Sequence, residues 1–170
     1  RSQSSDVTLG ISETAQRKIP LALPDFQPSS SAAARKSAEE ITRTLRSDLD
    51  FSGYFTVVKP ALYTDVSGYS EKRVLYKDWL GIGAESVVLG KVLEEPGKIP
   101  VEERLYDNGQ EQLVMGRRYR GEPETARSIA HRFANEIVKQ FTGQAGFFQT
   151  RITFVSQIGK AKEIFVMDYD

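Results

Sequence analysis
FTGQAGFFQTRITFVS, residues 141–156, joins two kinds of sequence. Before it, apolar residues recur every three or four positions, the spacing of an amphipathic helix. After it come two short runs with strand character, residues 152–155 and 163–167. The joint itself holds Gly143 and Gly146, then the bulky pair Phe147 and Phe148. Gly143 falls where a helix C-cap wants a residue that accepts positive φ. The joint therefore reads as the end of one unit and the entry to another, with Gly143, Gly146, Phe147, Phe148, Thr150 and Arg151 as an interdomain hinge.

Working back from the joint, Ala126, Ile129, Ala130, Phe133, Ile137, Val138 and Phe141 make the apolar face of the helix. Glu122 and Pro123 suit its first turn. Ahead of it lies an antiparallel meander. Pro96-Gly97 turns the chain, and Asn108-Gly109 is a hairpin signal between strands at 100–107 and 112–120. A central strand is expected at 86–93, entered from a short helix at 72–80 through Gly81-x-Gly83. A longer helix at 32–51 carries the stripe Ala38, Ile41, Leu45 and Leu49, with Arg43, Arg46 and Asp50 toward water. Gly53 ends it, and a strand follows at 54–58. The first strand, 19–23, is bounded by Pro20 and Pro24, which argues for a short or edge strand. Pro28 and the serines after it read as a loop. The order is βαβαβββα: a mixed α/β (α+β) fold with a mixed sheet of about five strands and about three helices.

The amino-terminal residues 1–18 are polar and serine-rich, a flexible arm, except for Val7, Thr8, Leu9, Gly10 and Ile11. There Val7, Leu9 and Ile11 share one face of an extended strand. The domain plan is therefore an arm at 1–18, an α/β domain at 19–143, and a linker with further strands at 144–170. Those last strands would form at most a hairpin, which is marginal alone in water. Residues after about 149 are expected to lack order or to pair with another copy.

Lys and Arg total 23 and Asp and Glu total 23, a balance that argues against a nucleic-acid or anionic-membrane surface. No cysteine is present, so disulfide and thiolate chemistry are excluded. No apolar run approaches the length of a membrane span. The chain starts at Arg1 without a methionine and without a signal-peptide pattern, which reads as a processed or excised form.

Catalytic groups are sparse. His131 is the only histidine and sits beside the apolar stripe of the last helix, where a surface or boundary role is expected. Glu39 and Glu40 are helix neighbours that do not face each other. Glu102 and Glu103 lie on a strand and point to opposite faces. Arg117, Arg118 and Arg120 are split between two faces in the same way and read as a solvated strand edge. Gly81-x-Gly83 follows a helix and precedes a strand, the reverse of a dinucleotide loop. Asp168 and Asp170 read as turn formers. No metal, no cofactor and no enzyme is expected.

Three stretches carry a family resemblance that weaker similarity extends over nearly the whole chain. They are the joint with KEIFVMDYD (162–170), DWLGIGAESVVLGKV (78–92) and DLDFSGYFTVV (48–58). They resemble the TolB family, periplasmic propeller proteins of the Tol–Pal envelope system. The resemblance implies a small α/β domain, similar to the anticodon-binding domains of some tRNA synthetases, followed here by the start of a truncated β-propeller. It implies a monomeric periplasmic scaffold needed for outer-membrane integrity and constriction, and exploited by colicins. It also implies two partners. The carboxy-terminal domain of TolA would meet the arm at Val7, Thr8, Leu9, Gly10 and Ile11, and the lipoprotein Pal would meet the propeller, mostly absent here. Alternatives are a nucleic-acid-binding domain of the anticodon-binding type and a stand-alone lipoprotein-assembly domain. Zero net charge weighs against the first, and the propeller-entry stretch against the second.

Overall fold
The computed structural model describes residues 17–158 and 161–168. Among these residues, eight strands and three α-helices run in the order β1 (Ile19–Ala22), β2 (Gln27–Pro28), α1 (Ala32–Phe51), β3 (Phe55–Val57), α2 (Tyr76–Gly81), β4 (Ser86–Val92), β5 (Ile99–Asp107), β6 (Gln112–Gly121), α3 (Ala126–Thr142), β7 (Arg151–Ile158) and β8 (Ala161–Asp168). Short 3-10 helices stand at Pro60–Asp65 and Pro123–Thr125. The main sheet is mixed, in the order β3-β1-β4-β5-β6, with β2 pairing β4 as a sixth strand. The mixed α/β class is thus as expected, with one strand more than the pattern shows. Gln27–Pro28 is too short to have a period, and it runs parallel to β4 with Gln27 opposite Lys91.

Strand alternation divides the core into two. Leu21, Val88, Val92, Val101 and Leu105 face α1 and α3. Ala22, Val87, Leu89 and Tyr106 face the 3-10 turn, α2 and the intervening loop, around a fully buried Trp79. The Trp79 indole donates from Nε1 to the Val74 carbonyl at 2.7 Å, so its one polar atom is satisfied inside that cluster. On the first face the stripe Ala38, Ile41, Leu45 and Leu49 is buried throughout. The Ser31 hydroxyl caps α1 by accepting from the Ala34 amide at 3.1 Å. Arg46 does not stand in water as the stripe suggests. It bends back and donates from Nη2 to the Leu23 carbonyl at 2.7 Å and to Asp25 at 2.9 Å.

Several other expectations change for local reasons. β1 is short, as its prolines suggest, but it is interior, parallel to both β3 and β4. The Pro20 carbonyl accepts from Glu85, one residue before β4 begins. The missing Pro20 N–H would have pointed at a stretch that is not yet strand, so no ladder bond is lost. α2 starts at Tyr76 rather than near Lys72, because Leu75 takes a left-handed φ of 59°. Between β4 and β5, Pro96-Gly97 makes a tight turn with Gly97 at φ 67°, flanked by paired bonds between Glu95 and Lys98. Between β5 and β6 the loop is longer than Asn108-Gly109 implies. Asn108 is buried and donates from Nδ2 to the Ala84 carbonyl at 2.9 Å, and the positive φ falls on Glu111.

The tail forms the hairpin that its two runs allow, with order where little is expected. β7 and β8 form an antiparallel two-stranded sheet with an unbroken register from Arg151↔Asp168 to Ile158↔Ala161. Eight cross-strand pairs rich in β-branched residues supply the ladder that the isolated runs do not reveal.

Candidate functional site
The exit from the α/β unit is clasped. α3 ends at Gly143, which takes φ 73° and donates its N–H to the Lys139 carbonyl at 2.8 Å. The chain then doubles back along α3. A Cβ on Gly146 would stand 2.7 Å from the Asn135 Cα, so only glycine allows this approach. The Asn135 side-chain oxygen accepts from the Phe148 amide at 3.0 Å, and Gln149 Nε2 donates to the Ser128 hydroxyl at 3.4 Å.

Phe148 is 1% exposed and belongs to the main core, although the sequence places it in a linker. Phe147 stays partly exposed and meets Phe51 edge-on, with ring centroids 6.0 Å apart. Phe141, at the end of the helix stripe, is also partly exposed and packs edge-on against Phe55 at 5.2 Å. The Thr150 amide closes a turn onto the Phe147 carbonyl, and Arg151 opens β7. The six residues expected to form a hinge therefore fall into two sets. Gly143, Gly146, Phe147 and Phe148 lie on the α/β unit, and Thr150 and Arg151 lie at the start of the hairpin. Burial of Phe148 is what the sequence hides, since paired phenylalanines in a glycine-rich stretch do not show which ring turns inward. The arm segment Val7, Thr8, Leu9, Gly10 and Ile11 lies outside the described residues.

His131 is buried, contrary to its expected boundary role. Its Nδ1 stands 2.8 Å from Asp48 Oδ2, and Arg127 Nε donates to Nε2 at 3.2 Å. With Nε2 accepting, the ring hydrogen sits on Nδ1, facing the carboxylate. This pair has the look of two-thirds of a hydrolytic triad, but Arg127 occupies the side from which a nucleophile would be deprotonated. The arrangement ties α1 to α3.

Glu102 and Glu103 part company as strand alternation requires. Glu102 lies among Lys91 (3.1 Å), Arg104 (3.4 Å) and Arg118 (3.8 Å). Partial burial pushes its carboxyl up, but the Lys91 bond and the surrounding cations outweigh that and hold it low. Glu103 is fully buried on the helix face, and among the described residues neither of its oxygens has a hydrogen-bond partner. Burial, with a smaller push from Glu136, holds its carboxyl well above the usual range. Glu136 in turn accepts from the Tyr119 hydroxyl at 2.7 Å and pairs with Arg117. Burial and that bond both raise the Tyr119 phenol. Among the described residues, no group of three or more His, Cys, Asp or Glu could hold a metal ion. Among them also, no helix is long and apolar enough to cross a membrane.

The fold and its clasped exit define a small two-faced α/β domain that delivers its chain into a β-hairpin. A family model described as the TolB amino-terminal domain matches residues 7–114. The Tol-Pal system protein TolB of Desulfosudis oleivorans is 33% identical over 164 residues, covering 94% of this chain and 37% of that protein. The protein of the same name from Cereibacter sphaeroides is 32% identical over 173 residues, covering 99% of this chain and 39% of its own length. A crystal structure of TolB from Acinetobacter baumannii superposes with a TM-score of 0.73 at 19% identity, over 91% of this chain and 37% of that one, and so supports the fold. The chain belongs to the TolB family. It spans well under half the length of these relatives.

Proposed function
We propose that this chain is the amino-terminal part of a non-enzymatic, periplasmic scaffold of the Tol–Pal system, which serves outer-membrane integrity and constriction during division. In this reading the α/β unit is a monomeric mount. The arm, through Val7, Thr8, Leu9, Gly10 and Ile11, takes the carboxy-terminal domain of TolA by adding a strand to an exposed sheet edge. Backbone bonds supply affinity in such a mode, and pockets for alternate side chains supply specificity. A propeller carried by a longer chain takes Pal.

The observation that carries the reading is the family match, which begins at residue 7 and so includes the alternating arm segment. The names of the relatives supply the system. The clasped exit supports a mount that holds whatever follows β8 at a fixed point. Calorimetry of this chain against a purified TolA carboxy-terminal domain tests it. Leu9→Asp puts a charge where the mode needs an apolar side chain, and it should weaken binding at least about tenfold while the thermal transition stays in place. Undiminished affinity in that variant would mean that the arm does not take TolA.

A further inference from the structure
β6 is the last strand of the main sheet, ten residues long, and among the described residues nothing pairs with its outer side. An unpaired edge presents a row of backbone donors and acceptors to any extended chain. Natural edges of this length are usually blunted by charge, and this one carries Arg117, Arg118 and Arg120. Blunting alone does not account for what lies beside it. A groove of about 640 Å³ runs between β6 and α3, with Arg132, Ser128 and Gln149 on its far wall.

The charge in that groove is one-sided although the whole chain is neutral. Four arginines line it; Arg117 is answered by Glu136, which Tyr119 also holds, and Arg120 by Glu95, which leaves Arg118 and Arg132 as the cations open to a partner. Arg132 lies over the Tyr119 ring at 5.3 Å and, among the described residues, makes no ion pair. Arg118 is 61% exposed, and its partner Glu102 is nearer to Lys91 and Arg104 than to it. Arg118 stands on one face of the edge and Arg132 over the other, because alternation sends Arg118 away from Tyr119 and α3.

We propose that the β6 edge and this groove dock an extended acidic segment of a partner protein, which adds to the sheet as a further strand. Adjacent acidic residues on such a strand would point to opposite faces, one toward Arg118 and its neighbour toward Arg132. The charges disfavour a second copy of this chain, since two β6 edges would bring arginines against arginines. They equally disfavour the arm, which carries Asp6 and Glu13 against Arg1, Arg17 and Lys18. The site is separate from the arm and does not depend on the TolA reading.

The probe is a labelled ten-residue peptide of alternating Val-Thr and Glu-Glu dipeptides, followed by anisotropy and by amide exchange of this chain. The peptide should bind, and salt should weaken it. Exchange should slow at alternate amides within β6. The double variant R118Q/R132Q should bind about tenfold more weakly. N-methylation of alternate peptide amides should abolish binding, because it removes the ladder and leaves the charge. Deleting residues 1–13 should change nothing. Failure to bind, equal binding of the N-methylated peptide, or protection that spares β6 would each overturn the proposal. Tighter binding after deletion of the arm would do so too, by making the arm the occupant.

Discussion
The α/β unit and the hairpin that follows it are both built from paired strands, but their described side chains differ in burial. In the main sheet each face is covered, and residues such as Leu21, Leu105 and Phe133 are wholly buried. In the hairpin, Val155, Ile164 and Val166 are exposed, and no further strand among the described residues joins β7 or β8. Hydrogen bonding is thus common to both regions, while burial, among the described side chains, is not. Burial is the term that dominates stability. Phe148, beyond the end of α3, still belongs to the core, and the Thr150 turn follows it directly.

The largest effect should come from the centre of the unit. Phe133→Ala should cost about 3–5 kcal/mol in denaturant melts, the usual range for a fully buried Phe. Phe148→Ala sharpens the comparison, because the ring lies outside every regular element yet inside the core. It should cost about 3 kcal/mol if the clasp is part of the unit. A loss no larger than that of an exposed residue would assign the clasp to the hairpin.

A smaller loss is expected at His131→Ala, about 1–3 kcal/mol, since the bond to buried Asp48 is removed while little apolar volume changes. Chemical denaturation at fixed pH measures it against Phe133→Ala. Equal losses would show that the α1–α3 contact rests on the polar pair rather than on the stripe.

Glu103→Gln should instead stabilise, by on the order of 1 kcal/mol near neutral pH. The sign follows from the raised carboxyl. The folded protein holds the proton while the unfolded chain releases it near the ordinary value of 4.5, so wild-type stability falls as pH rises above that value. The glutamine variant escapes this loss. Its advantage should grow from about pH 4.5 upward and vanish below, which melts across the pH range will show. A pH-independent difference would contradict the unpartnered, buried placement. The smallest effect belongs to the hairpin: Val155→Ala should shift the global melt by less than about 0.5 kcal/mol.

Much of this fold is legible in the chain because it is written in short-range patterns. The α1 stripe has helical spacing, Pro96-Gly97 meets the φ demand of its turn, and Glu102 and Glu103 part by strand alternation. What escapes notice depends on distant partners. Asp48 and His131 are 83 residues apart, and neither position hints at the other. Gln27–Pro28 becomes a strand only because β4 lies beside it. Phe148 is core only because Gly146 lets the chain lie against Asn135. The groove beside β6 needs α3 in place before Arg132 stands over Tyr119 on the edge strand. Read along the chain, the arginines are a solvated edge, and the carboxylates that answer most of them are far away in sequence.

In the proposed reading the arm takes TolA, and the α/β unit serves as its mount in that contact. Titrating isotope-labelled chain with the TolA carboxy-terminal domain, and following every backbone amide, tests it most directly. Shifts and slowed exchange are expected at residues 7–11, with residues 19–149 nearly unmoved. Shifts concentrated on the α/β surface, with 7–11 unchanged, would contradict it.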